Sequence, residues 1–70
     1  MPYITFQNKN GKKVYYRGIE DDKILTTTSR NKAKLLSSGY FINAEVEFLK
    51  FHFPTSEYPI METLQKENVF

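Results

Sequence analysis

The segment spanning residues 39–54 constrains the fold of this chain most, because it holds five of the eleven aromatic residues. Four of its apolar residues recur at intervals of four, three and four, the spacing that lines one side of an α-helix. They are Ile42, Val46, Leu49 and Phe53. Asn43 is a favourable N-cap residue, and Pro54 limits extension beyond it. These features predict a helix over residues 43–53 whose apolar stripe packs with Ile4, Phe6 and Leu36.

The same segment has an alternative interpretation. Apolar residues alternate with charged ones from Ala44 to Phe48, and after a shift of one position they alternate again from Leu49 to Phe53. This is the pattern of a β-strand with a single bulge, and aromatic residues favour strands. Residues 43–53 are therefore either a helix, which the capping signals favour, or a bulged strand.

The helix leaves several aromatic side chains outside its core stripe. A domain of 70 residues buries only about 60% of its unfolded surface, so it has little interior to hold them. Aromatic residues left on a surface often anchor protein interfaces. The sequence therefore predicts a surface for a protein partner or for self-association, unless Val69 and Phe70 fold back to cover it. The candidate residues are Tyr40, Phe41, Phe48 and Phe51.

The beginning of the chain predicts a β-hairpin. Residues 3–7 alternate, with Ile4 and Phe6 on one side, and residues 12–17 form the returning strand. Asn10 and Gly11 between them are a strong hairpin signal, because both residue types tolerate positive φ. An acidic turn at residues 20–23 and a short third strand at residues 24–27 follow.

The remaining segments complete an α+β fold. A short helix is expected over residues 30–36, with Gly39 as a left-handed C-terminal cap. A final strand is expected over residues 58–64, with Pro59 either at a sheet edge or at the first residue of the strand, and residues 65–70 are expected to fray. The predicted fold is a single domain over residues 1–70. A small antiparallel sheet, formed by the hairpin, the short third strand and the C-terminal strand, carries two helices packed on one face.

Charge is unevenly distributed along the chain. Residues 1–38 hold eight basic and three acidic side chains, whereas residues 39–70 hold two basic and five acidic ones. The hairpin interleaves basic and aromatic residues, which suits phosphate contacts and base stacking. Lysine at a hairpin tip also commonly protects a sheet edge, so nucleic-acid binding is the alternative function. Its candidate residues are Lys9, Lys12, Lys13, Tyr15, Tyr16 and Arg17.

Motifs for catalysis and cofactors are not recognisable. The chain has no cysteine and one histidine, His52, which is too few for a thiolate or multi-histidine metal site. No nucleophile–base pair, glycine-rich phosphate loop or small-molecule site is evident. We therefore expect a non-catalytic protein without cofactors. No apolar run is long enough to span a membrane, and the lack of cysteine fits a cytoplasmic location.

The first half of the chain resembles small uncharacterised proteins of bacteriophages and prophages in staphylococci and related bacteria. The resemblance implies a phage or prophage accessory protein that acts in the bacterial cytoplasm and binds a host or phage protein. The matching segments are Tyr3-Ile4, Asn10-Gly11-Lys12, Tyr15-Tyr16-Arg17-Gly18-Ile19, Thr26-Thr27 and Lys32-Ala33-Lys34-Leu35.

Overall fold

The computed structural model describes residues 1–68 and contains a four-stranded antiparallel sheet with one α-helix against one face. The sheet order is β3-β2-β1-β4, so the last strand lies beside the first. The strands are β1 (Pro2–Gln7), β2 (Lys13–Glu20), β3 (Lys23–Thr27) and β4 (Gln65–Asn68), and the helix is α1 (Gly39–His52). The predicted α+β class and antiparallel sheet are confirmed.

The hairpin of β1 and β2 is confirmed, but its turn differs from the one expected. The Asn8 side-chain oxygen accepts hydrogen bonds from the backbone N–H groups of Asn10 and Lys12, at 2.9 and 3.0 Å. Only Gly11 in this turn has a positive φ, of 76°. Two consecutive residues with positive φ occur instead at Asp21 and Asp22, between β2 and β3, as a two-residue type I′ turn requires.

The helical interpretation of residues 43–53 is confirmed, although α1 begins four residues before the expected N-cap. Ser38 is the N-cap, and its hydroxyl accepts a hydrogen bond from the Phe41 N–H at 3.5 Å. Gly39 is therefore the first residue of α1 and not the C-terminal cap of an earlier helix. The helix ends at His52, two residues before Pro54.

The predicted core is confirmed residue for residue. The α1 side chains Ile42, Val46 and Leu49 are buried against the sheet, and Leu49 is fully enclosed. Val14 and Tyr16 of β2 and Met61 also belong to this core. Its other members were all expected, namely Ile4, Phe6, Leu36 and Phe53.

The prediction of a second helix, over residues 30–36, is wrong. Residues 30–36 form only a short 3-10 helix, Arg30–Lys32, followed by extended backbone. The Lys34 N–H donates to the Tyr16 carbonyl and the Leu36 N–H donates to the Pro2 carbonyl, both at 2.9 Å. These two bonds to strand carbonyls replace the bonds that a helix would make, and they place Leu36 in the core.

The prediction of a strand over residues 58–64 is also wrong. This segment is a second 3-10 helix, Pro59–Thr63, and β4 follows it in the residues expected to fray. The Thr63 hydroxyl donates to the Ile60 carbonyl at 2.7 Å and accepts from the Gln7 N–H at 2.8 Å. The hydroxyl thus joins the 3-10 helix to the end of β1. Val69 and Phe70, expected as a cover for the aromatic residues, lie outside the described residues.

Candidate protein-interaction surface

The helix α1 has two apolar sides, and only one of them faces the sheet. All four aromatic residues proposed from the sequence are exposed: Tyr40 is 76% exposed, Phe41 52%, Phe48 46% and Phe51 80%. At about 100° per residue, their side chains project away from the stripe of Ile42, Val46 and Leu49. We call these four residues, together with the exposed Ala44 and His52 on the same side of α1, the aromatic strip.

The side chains of the aromatic strip contact one another in two groups, one at each end of the strip. The Tyr40 and Phe41 rings lie edge to face with centroids 5.5 Å apart. The His52 ring lies 4.2 Å from the Phe48 ring and 5.1 Å from the Phe51 ring. His52 therefore extends the ring surface, and the described residues contain no group of three or more potential metal-ligating side chains.

A groove of about 210 Å³ continues the aromatic strip toward the β2–β3 turn. It is lined by Ile19, Asp22, Phe48, His52, Phe53 and Tyr58. Ile19 reaches this side because the pairing of β2 with β3 shifts by one residue between Tyr16 and Gly18. Such a bulge reverses which face the following residues occupy. The sequence does not predict the place of Ile19 in this groove, since the bulge has no local sequence signal, and the packing of Tyr58 on Phe53 likewise depends on the fold.

A hydrogen-bonded group fixes α1 on the sheet beside the aromatic strip. The Glu45 carboxylate accepts hydrogen bonds from the Tyr16 hydroxyl and the Lys34 ammonium, both at 2.7 Å. Burial alone would raise the pKa of the Glu45 carboxyl, but these two bonds outweigh it and hold the pKa below its usual range. Burial and the bond to Glu45 raise the pKa of the Tyr16 phenol well above its ordinary value. The arrangement therefore favours an ionised Glu45 and a neutral Tyr16.

Fewer side chains of the basic hairpin are placed to contact a nucleic acid than its sequence indicates. Tyr16 is fully buried below α1, so it does not stack on a base in this fold. Lys13 forms an ion pair with Glu67 at 2.7 Å, and the Tyr15 ring packs against the Tyr3 ring at 5.8 Å. Lys9, Lys12 and Arg17 are exposed. The hairpin candidates are thus divided between solvent, the core and a neighbouring strand.

The electrostatic partners of the hairpin come from distant parts of the chain. Glu67 lies 54 residues after Lys13, in the segment expected to fray. Only the pairing of β4 with β1 brings them together, at the Tyr3–Glu67 pair beside the hairpin.

The comparisons with known proteins add no family to this description. No family model, curated protein or solved structure matches the chain. The resemblance to phage and prophage proteins stays a prediction. Within residues 1–68, no helix is both long and apolar enough to cross a bilayer.

Proposed function

We propose that this protein is a small, non-catalytic protein-interaction module that binds through the aromatic strip of α1. The observation that supports it is the exposure of four large rings on the side of the helix opposite the core. A solvent-facing helix surface normally carries charged and polar residues. These rings are not needed to hold α1 in place, because its other side already packs against the sheet.

The size of the aromatic strip supports a binding role. With about 200 Å² per aromatic side chain, the four rings expose roughly 500 Å². The largest apolar patch on a typical monomer measures about 300–600 Å² and is often functional. An area of this size on so small a domain favours an anchor of the kind that dominates interface energy.

A photo-crosslinking experiment tests the proposal directly. A benzophenone amino acid placed at Phe51, the most exposed ring of the strip, should form a covalent adduct with a bound protein. Lys50 provides the matched control, because it is exposed on the same helix but lies outside the strip. We expect adducts from position 51 and not from position 50. Equal labelling from both positions, or none from either, would contradict the proposal.

The cellular setting is part of the same proposal. We propose a cytoplasmic module without cofactors, in line with the absence of cysteine from the sequence. A phage or prophage accessory role, in which the strip binds a host or phage protein, would fit the resemblance of residues 3–35.

Nucleic-acid binding through the hairpin is the second candidate, supported by the exposure of Lys9, Lys12 and Arg17. The ion pair of Lys13 with Glu67 weakens it, because a neutralised lysine attracts phosphate less. Fluorescence anisotropy with a labelled single strand at low salt is the test, with Lys12→Glu as the variant and Lys50→Glu as the control. Binding that weakens with salt and is lost only in Lys12→Glu would favour this function over the first.

A further inference from the structure

The spacing of residues along the aromatic strip is the same in both directions. Phe41, Ala44, Phe48 and Phe51 are separated by three, four and three residues. This is the alternating spacing by which one helix packs along another. A helix with this pattern can meet a reversed copy of itself with every strip position opposed by another.

The central residues of the strip, Ala44 and Phe48, are complementary in size under that reversal. In an antiparallel pair centred near Val46, Phe41 of one copy opposes Phe51 of the other, and Phe48 opposes Ala44. Ala44 is exposed in the monomer and is the one small residue among these four positions. Large residues opposite small ones allow two helices to interdigitate. The Phe48–Ala44 contact would occur twice, once on each side of the two-fold axis.

Charged residues flank the strip on the side of the groove. Asp22 lines the groove near Phe48 and His52, at the C-terminal end of α1. Lys34 is held against Glu45 on that same flank of the helix, and its side chain is 43% exposed. Two-fold pairing of antiparallel helices brings equivalent flanks together in reverse order. Asp22 of each copy would therefore face the flank of the other that carries the Lys34–Glu45 ion pair, and not a second aspartate.

From these features we infer that the protein that covers the aromatic strip is a second copy of this chain, with the two α1 helices antiparallel about a two-fold axis. This inference rests on the proposed function and names its partner. Two strips of roughly 500 Å² each give a total near the 1,000 Å² or so that a specific interface needs. The groove at each end adds to this area.

Sedimentation equilibrium of the wild type and of Ala44→Glu tests the inference. Ala44 is exposed, so the substitution should leave the monomer folded, which circular dichroism can check. In the dimer it would place a charge against the Phe48 ring of the other copy. The dissociation constant should rise by about 30-fold or more, the effect of losing an interface hot spot. Thr55→Glu, at an exposed site outside the strip, is the control and should leave the dimer intact.

The absence of cysteine from the chain permits a clean test of orientation. Ala44→Cys and Phe48→Cys chains are mixed and oxidised. The antiparallel pair predicts mostly mixed disulfides between positions 44 and 48. A parallel pair would give mostly disulfides between identical positions, and that result would overturn the inferred geometry.

The remaining outcomes separate this inference from the proposed function. If the wild type is monomeric at high concentration and the benzophenone at position 51 captures a different protein, the second copy is wrong and the interaction module is supported. If the wild type is monomeric and position 51 captures nothing, both fail. A dimer that Ala44→Glu leaves unchanged also overturns the inference, because its interface then lies elsewhere.

Discussion

Glu45 attaches α1 to the rest of the fold through electrostatic interactions. It accepts from Tyr16 in β2 and from Lys34 in the segment that leads to the helix. Three separate parts of the chain therefore converge on one carboxylate. Because its side chain is 19% exposed, water competes less for these bonds than it does at the surface.

The depressed pKa of Glu45 predicts a loss of stability in acid. A carboxyl with a lower pKa in the folded state stabilises the fold fully above its unfolded-state value, near 4.5. That contribution disappears as the pH falls through the lower folded value. Glu45→Gln should therefore be less stable than the wild type at neutral pH, and the difference should shrink below about pH 4. Urea unfolding over this range measures it, with Glu47→Gln on the same helix as the control.

The Tyr16 phenol predicts a loss of stability at alkaline pH. Its raised pKa means that its contribution is complete below the ordinary value of 10.0 and is lost as the pH rises through the folded value. Tyr16→Phe should lower stability by about 1–2 kcal/mol at neutral pH through the lost hydrogen bond, and should flatten the alkaline decline. An alkaline decline as steep as that of the wild type would contradict this role for Tyr16.

Substitutions at Leu49 and at its neighbour Lys50 distinguish the contribution of burial to stability from that of helix formation. Leu49 is completely buried, whereas Lys50 is exposed. Replacing a buried leucine with alanine typically costs about 2–5 kcal/mol, so Leu49→Ala should unfold much of this small domain. Lys50→Ala should cost little. Equal melting temperatures for the two variants would rule out this core.

At the level of elements, local sequence patterns predicted the helix α1, the side that it buries and the hairpin. The stripe of Ile42, Val46 and Leu49 identified both α1 and the side that it buries. The Asn–Gly pair identified the hairpin, although Asn8 organises that turn with its side chain. Exposure of the strip followed from the geometry of the helix alone. These features depend on residues only a few positions apart.

Elements that depend on distant partners could not be predicted in this way. The helix expected over residues 30–36 is absent because the backbone of Lys34 and Leu36 is held by carbonyls of β2 and β1. The polar segment Gln65–Asn68 becomes a strand because β1 offers it a free edge. Helix starts are similarly ambiguous, since Ser38 and Asn43 are both favourable caps and the contacts of Ile42 with the core extend α1 to the earlier one.

Gly39 gives a prediction that distinguishes the two assignments of its role. As the first residue of α1 it has no positive φ, and an added Cβ would meet no heavy atom within 4 Å. Gly39→Ala should therefore stabilise the protein by about 0.4–1 kcal/mol, mainly by restricting the unfolded chain. A left-handed cap would instead make the substitution destabilising. Gly11→Ala, at a φ of 76°, is the control and should destabilise the protein in the same thermal melts.

For the molecule as a whole, the two turns at the ends of β2 carry opposite charges. Strand β2 begins beside the basic hairpin turn, which carries Lys9 and Lys12, and ends at the acidic turn of Asp21 and Asp22. The groove of the aromatic strip lies at the acidic end. Lys9 and Lys12 therefore lie at the opposite end of β2 from the groove, and variants at these two lysines should leave the aromatic strip unaffected.

Strand β4 completes the sheet, and its removal gives the last prediction. Four residue pairs join it to β1, and without it β1 would become an open edge. A chain that ends at Leu64 should lose about 2–4 kcal/mol relative to one that ends at Asn68, from the missing backbone hydrogen bonds alone. Urea unfolding of the two chains measures the difference, and Glu67→Gln in the longer chain isolates the share of the Lys13 ion pair, which should be small because the Lys13 side chain is exposed to solvent. If both chains unfold at the same urea concentration, residues 65–68 add nothing to the sheet, which would agree with the fraying expected for residues 65–70.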